Sequence, residues 1–324
     1  MDLLRLLSFA VFAAESIISP ISDEPSLEAF KVPAPKRKSF GQLIGRHAVL
    51  GLSTELTPTP TPETIETTPE PTPMPLPTPT QLPTPTVPNP TPSPVAVVSR
   101  TTPSKTSYTI ALLGDSMIDT LGPDGWNLKT KLRARFPHTE FTILGYGAAA
   151  TNIDYGLERL THGYSYLGNH VPSLVSMRPD IVVVESFGYN PYPHNDDPIT
   201  KHWLALAKIV ETIKRELPGT KIIIAATIAP SATHFGQGAA FLNFSPEGKR
   251  EKADTIKRYI ENSIKFARGE KLPLADAYTP SLGSDGYGKL QYINAGDHIH
   301  YSDSGRNLFA QKVYEAITTH DLLQ

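Results

Sequence analysis

Four short stretches of this sequence carry side chains that could do chemistry together. Gly114-Asp115-Ser116 puts a serine directly after an apolar run, where glycine permits a sharp turn and the hydroxyl would stand at a helix start. Serine becomes a nucleophile only when a base takes its proton, an acid orients that base, and donors meet the developing oxyanion. Asp297-His298-Ile299-His300 offers both the base and the acid. A three-residue offset lets the Asp297 carboxylate reach the Nδ1–H of His300 while Nε2 faces the serine, whereas Asp297 cannot easily orient its immediate neighbour His298. The small-residue turn Gly145-Tyr146-Gly147-Ala148-Ala149-Ala150-Thr151-Asn152 has backbone N–H groups that an oxyanion can approach closely, and Gly188-Tyr189-Asn190 adds a side-chain amide. Each stretch alone is ordinary turn material. Together, at successive points of the chain, they read as acyl-transfer chemistry.

A second chemistry uses some of the same residues. His298 and His300 with Asp297 form half a metal site, and His194, Asp196 and Asp197 could supply the rest, although such clusters also suit an exposed polar loop. The chain has no cysteine, which removes thiol nucleophiles, thiolate metal sites and disulfides. Asp115 reads as a turn and helix-start residue whose carboxylate accepts local N–H bonds. Trp126, Tyr146, Phe187 and Tyr189 lie near the same turns, as core aromatics or as platforms for a sugar ring.

These residues must be held by something, and the pattern from Lys105 to Gln324 says what. Strands are expected over Tyr108–Leu113, Phe141–Leu144, Asp180–Glu185, Lys221–Thr227 and Leu272–Ala275. Runs such as Ile181-Val182-Val183-Val184 and Ile222-Ile223-Ile224 have no polar alternation, so both faces of those strands should be covered. Helices are expected over Asn127–Phe136, in the region Asp154–Met177, and over Ile199–Leu217, Pro246–Arg268 and Ser302–Ile317. Ile256, Ile260 and Ile264 form one apolar stripe, and Ser302 serves as a cap. Alternating strands and helices imply a three-layer α/β/α sandwich with a mainly parallel sheet of about five strands. In such sheets ligands bind beyond the carboxyl ends of the strands, which is where all four stretches fall.

From Ile110 to Ile317 the arrangement resembles the SGNH (GDSL-type) hydrolase superfamily, serine esterases and lipases on a flavodoxin-like fold. Gly114-Asp115-Ser116 matches that family's first block, and Asp297 with His300, followed by Ser302 and Gly305, matches its last. The resemblance implies Ser116 as nucleophile and backbone oxyanion donor, Asp297 and His300 as its acid and base, and Asn190 as the amide donor. It implies no cofactor and no metal. Two blocks depart. Spacing to Gly156-Leu157-x-Arg159-Leu160 puts Ala150 where the family has glycine; alanine's N–H can serve if φ stays negative, with Gly147 as the fallback donor. Pro191 stands after Asn190 where the family has aspartate.

The rest of the 324-residue chain concerns location. Sixteen of its 32 prolines lie between Thr57 and Pro103, mostly in Thr-Pro steps, so residues 57–104 are expected to be a polyproline II linker, with an N-terminal segment 1–56 before it and a hydrolase domain 105–324 after it. Fully extended, that linker would reach on the order of 140 Å. Leu3–Ala14 has the length of a secretory signal core, and a second basic-then-apolar stretch runs from Lys36-Arg37-Lys38 to Leu52. An extracellular or surface-tethered protein is expected, attached through its N-terminal region. With 30 basic and 32 acidic side chains the chain has a net charge of −2, which gives nucleic acid no hold. The substrate expected is a small-molecule or glycan ester, O-acetyl groups on a polysaccharide being one case. The alternatives are a weakly active or inactive binding module of the same fold, and a lipase or acyltransferase with the same triad.

Overall fold

The computed structural model describes residues 102–193, 197–240 and 242–324. Both stretches expected to bear on export, and the Thr-Pro run up to residue 101, lie outside the described residues. Among those residues no helix is long and apolar enough to cross a membrane.

Strands β1 (Ser107–Gly114) and β2 (Glu140–Gly147) come first, then a small hairpin of β3 (Tyr164–Tyr166) and β4 (Asn169–Val171), then β5 (Ile181–Glu185), β6 (Lys221–Ala226) and β7 (Leu274–Asp276). Five of them form one sheet in the order β2-β1-β5-β6-β7, with every neighbouring pair parallel. Helices α1 (Ser116–Asp119), α2 (Trp126–Arg135), α3 (Ile153–Thr161), α4 (Pro198–Glu216), α5 (Pro246–Gly269), α6 (Tyr278–Ser281) and α7 (Asp303–Thr319) connect and flank the strands.

The unbroken apolar runs find the explanation expected of them. Ile110, Leu112, Ile181, Val183, Ile223 and Ala225 point into one core with Leu128 and Leu132 of α2 and Phe309 and Val313 of α7. The residues between them, Ala111, Leu113, Val182, Val184, Ile222 and Ile224, enter a second core with Ile153 and Leu160 of α3 and Leu206, Ile209 and Ile213 of α4. Each valine, leucine, isoleucine or phenylalanine among them contributes about 1.5–3 kcal/mol by leaving water, so a charge on either face would be costly. Helix α5 serves both cores, with Ile256, Ile260 and Ile264 in the first and Tyr259, Phe266 and Ala267 in the second.

One expected element is different. The region Asp154–Met177 is helical only to Thr161 and again in a short 3₁₀ turn at Leu174–Met177. Between them Tyr164 pairs with Val171 and Tyr166 with Asn169. Leu167 and Gly168 both have positive φ, 49° and 79°, which suits a two-residue hairpin turn. Pro172, lacking an N–H and fixing φ, follows β4 directly, where it cannot extend the ladder.

Since β1 has β2 on one side and β5 on the other, the chain leaves the sheet in opposite directions around β1. That reversal opens a crevice above the end of β1, and the exits of all three strands meet there.

Candidate active site

The exit of β1 is built tightly. A Cβ on Gly114 would lie 2.3 Å from Ile118 Cγ1 and 2.8 Å from Glu185 Cβ, so glycine is required by close approach and not by dihedral freedom. Asp115 caps α1: its Oδ1 accepts the Met117 N–H at 2.8 Å. Its other oxygen, Oδ2, accepts from the Asn190 amide at 2.9 Å. Ser116 is the first residue of α1 and is buried, yet its Oγ makes no hydrogen bond to any described residue. A buried hydroxyl left so costs free energy and calls for a role.

The base and acid expected at the C-terminal end come together. His300 Nδ1 and Asp297 Oδ2 are 2.8 Å apart, both residues nearly enclosed. For a neutral ring this bond assigns the hydrogen to Nδ1 and the lone pair to Nε2. Asp297 Oδ1 accepts the N–H groups of Ile299 at 2.9 Å and His300 at 3.1 Å. Burial works against the Asp297 charge, but the bond and charge of His300 outweigh it and hold the carboxyl below its usual range. The loop is fixed at both ends, since Asn294 N–H donates to His300 O at 2.8 Å and Tyr301 Oη meets Thr227 Oγ1 at 2.5 Å beyond β6.

His298 goes elsewhere. Its Nδ1 bonds the Gln237 carbonyl at 2.7 Å and its ring stacks on His234 with centroids 5.3 Å apart. Asp197 caps α4 through the Thr200 N–H at 3.2 Å, and His194 and Asp196 lie outside the described residues. Among the described residues no three His, Cys, Asp or Glu side chains are grouped to hold a metal ion.

The exit of β2 corrects one expectation. Ala150 has φ = 56°, in the left-handed region, so the condition that its φ stay negative is not met. Holding alanine there costs about 1–2 kcal/mol, because Cβ crowds the following carbonyl. Neighbouring hydrogen bonds hold it: Ala148 N–H to Gly114 O at 3.3 Å, Ala149 N–H to Tyr166 Oη at 2.9 Å, and Thr151 Oγ1 to Ala148 O at 2.8 Å. Gly147, the alternative donor, is the last residue of β2. A Cβ there would sit 2.2 Å from Asp119 N, so its glycine is explained by packing against α1. Asn190 is half-buried at the exit of β5, its backbone N–H on Phe187 O at 3.2 Å.

Two buried charged residues under this site escape a reading by residue type. Glu185 ends the apolar run of β5; its carboxylate accepts from Ser186 Oγ at 2.6 Å and from the Phe187 N–H at 2.9 Å. Burial first, then the charge of Asp115, push its pKa well above the usual carboxylate range. A single acid closing a run of valines was the visible signal. Arg159 donates to Gly114 O at 2.9 Å and to Thr151 Oγ1 at 3.0 Å, tying the first exit to the second. Burial lowers its pKa. In the sequence it looks like any arginine of an amphipathic helix. Of the aromatics near the exits, Tyr146, Phe187 and Tyr189 are buried in the cores, and Trp126 is 68% exposed.

One end of the sheet therefore carries a buried hydroxyl, an imidazole oriented by a carboxylate, and N–H donors at adjacent exits, the kinds of group that acyl transfer uses. Comparison with known proteins identifies the family. The family model of the GDSL-like lipase/acylhydrolase family matches residues 112–308. A search of curated proteins found no match. Among solved structures, a lipase/acylhydrolase from Enterococcus faecalis is similar at 18% identity and a TM-score of 0.47, over 66% of this chain and 96% of that one. An acetylxylan esterase from Geobacillus stearothermophilus, as a catalytic mutant, is similar at 13% identity and a TM-score of 0.46, over 67% of this chain and 96% of that one. The family match runs from within β1 into α7 and so spans every exit described above, from Ser116 to His300. This chain belongs to the GDSL-like lipase/acylhydrolase family.

Proposed function

We propose that the protein hydrolyses a carboxylic ester through an acyl-serine intermediate. The observation that carries this reading is the 2.8 Å bond from His300 Nδ1 to Asp297, at the same end of the sheet as the buried Ser116 hydroxyl. Ser116 Oγ attacks the ester carbonyl and its proton passes to His300 Nε2. The imidazolium so formed is stabilised by Asp297 and returns the proton to the departing alcohol oxygen as the ester C–O bond breaks. Water then attacks the acyl-serine, again losing its proton to His300, and the carboxylic acid leaves as Ser116 regains its hydrogen. The tetrahedral oxyanion is met by the Ser116 N–H, the Asn190 amide and the Ala150 N–H, the last because the left-handed φ of Ala150, and not the negative one first required, goes with the orientation of the Ala149–Ala150 peptide plane that aims this N–H; each donor contributes on the order of 3 kcal/mol to lowering the barrier.

The natural substrate under this reading is an ester on a glycan outside the cell, such as an O-acetyl group. The Thr-Pro segment between Thr57 and Pro103 supports it as a spacer for a surface-tethered enzyme. Trp126, exposed next to the loop that follows α1, supports it as a surface on which a sugar ring can stack. The test is release of p-nitrophenol from p-nitrophenyl acetate and of acetate from acetylated xylan, compared with longer acyl esters. Ser116→Ala is expected to abolish all of it in a folded protein, and a fluorophosphonate probe is expected to label Ser116. A folded Ser116→Ala enzyme with wild-type turnover overturns the reading, and a preference for long acyl chains replaces the glycan substrate with a lipid.

A further inference from the structure

We infer that Tyr166, acting with Asp119, is a positioning residue that holds the Ala149–Ala150 turn with the Ala150 N–H aimed at the oxyanion. The inference rests on Ala150 being a donor in the reaction proposed above. It starts from a mismatch between residue and backbone. Ala150 has φ = 56°, a conformation glycine adopts freely and alanine avoids. Left to itself the turn would relax toward negative φ and rotate its N–H away.

Most of the bonds around the turn tie its ends. Ala148 N–H is on Gly114 O, Thr151 Oγ1 is on Ala148 O, and Arg159 bridges Thr151 Oγ1 and Gly114 O. Tyr166 alone of these partners grips the middle. Its Oη accepts the Ala149 N–H at 2.9 Å and donates its own hydrogen to Asp119 Oδ2 at 3.1 Å. A phenol with one proton can do both at once, and phenylalanine can do neither.

The two ends of this relay matter for the chemistry. Asp119 closes α1, the same four-residue helix that Ser116 opens, and the backbone of Asp119 already packs on Gly147 at the foot of the turn. The phenol therefore registers the backbone donor of one strand exit against the nucleophile of another. Tyr166 comes from the β3–β4 hairpin, which takes no part in the main sheet and reaches the site from outside it.

A double-mutant experiment tests this. Tyr166→Phe should lower kcat for p-nitrophenyl acetate by about tenfold with KM changed less than about twofold, part of what loss of a whole oxyanion donor costs. Asp119→Ala should do the same, whereas Asp119→Asn, which keeps an acceptor oxygen, should cost less than about threefold. With Ala150→Gly the turn no longer resists its own φ, so adding Tyr166→Phe should then cost less than about threefold. Melting curves check that each variant is folded; if Tyr166→Phe is not, the Asp119 pair makes the same comparison. Unchanged kcat in folded Tyr166→Phe, an equal loss in the Gly background, or a loss wholly in KM overturns the clamp. Hydrolysis that survives Ser116→Ala overturns the serine mechanism itself, so the two failures are told apart.

Discussion

Asp115 and Asn190 are joined by a 2.9 Å hydrogen bond, and through it one buried carboxylate holds both the serine's helix and the amide donor of the neighbouring strand exit. Its two oxygens have separate duties, so two substitutions should separate them. Asp115→Asn keeps an oxygen for the Met117 N–H but can offer Asn190 only an amide. It should leave the melting temperature nearly unchanged and lower kcat by about tenfold, through an Asn190 side chain no longer fixed. Asp115→Ala loses both bonds, and should also cost about 1 kcal/mol of stability from the missing helix cap. Thermal melts and steady-state kinetics on the same preparations check both.

Asn190→Ala should lower kcat by about 10²-fold or more with little change in KM, because its amide meets the oxyanion and not the ground-state ester. It also strips Asp115 Oδ2 of a partner inside the protein, which should cost about 1–3 kcal/mol. A variant that loses stability but keeps kcat would assign Asn190 to anchoring Asp115 alone.

The parallel sheet was legible because physics leaves few alternatives for Ile181–Val184 and Ile222–Ile224, runs with no polar face to turn to water. The pairing of Asp297 with His300 was legible because three-residue spacing in a turn brings a carboxylate back onto Nδ1, and it does so at 2.8 Å. The dihedral of Ala150 was not, because composition does not show that Tyr166 will come from a hairpin to hold the turn. That hairpin was itself read as helix, although Gly163, Gly168-Asn169 and Pro172 punctuate the stretch, and Leu167 and Gly168 take positive φ at its turn. Glu185 and Arg159 were missed for a common reason. Whether a charge is buried and bonded depends on neighbours distant in sequence, here Asp115 and Gly114.

Stability should fall in mild acid, through a histidine that takes no part in the chemistry. His202 on α4 is fully enclosed, with Nε2 on the Ser186 carbonyl at 2.9 Å and Nδ1 facing the Asn262 amide at 3.0 Å. The carbonyl requires a hydrogen on Nε2, which leaves Nδ1 to accept from Asn262, so a second proton has no place. Burial lowers its pKa to about 4 from the ordinary 6.5. The folded pKa lies below the unfolded one, so the unfolded chain takes up the proton first. The contribution is complete above pH 6.5 and is lost as pH falls toward 4, amounting to about 3 kcal/mol across that window. Melting temperature should drop over this range in the wild type, and the drop should flatten in His202→Gln. An equally steep drop in that variant would move the cause to other groups, such as Asp297, whose depressed pKa acts at lower pH.

The two histidines at the C-terminal end can be set against each other. Asp297 engages His300 through Oδ2 and locks its own loop through Oδ1, while His298 turns its ring to His234 and its Nδ1 to the Gln237 carbonyl. The base must be the ring that the carboxylate orients, so His300→Ala should cost on the order of 10⁴-fold in kcat. Asp297→Asn should cost a comparable amount, because an amide favours the wrong tautomer and gives the imidazolium no charge to rest against. His298→Ala removes a stacking contact and one hydrogen bond away from the nucleophile, and should cost less than about tenfold. Chelation adds a separate check. Both Asp297 oxygens already accept hydrogen bonds, Oδ2 from Nδ1 and Oδ1 from two backbone N–H groups, an arrangement that serves to orient a ring. Turnover should therefore survive EDTA and gain nothing from added divalent metal. Equal losses in the two histidine variants, together with silencing by EDTA, would give the site to a metal held by His298 and His300 and take it from the serine triad.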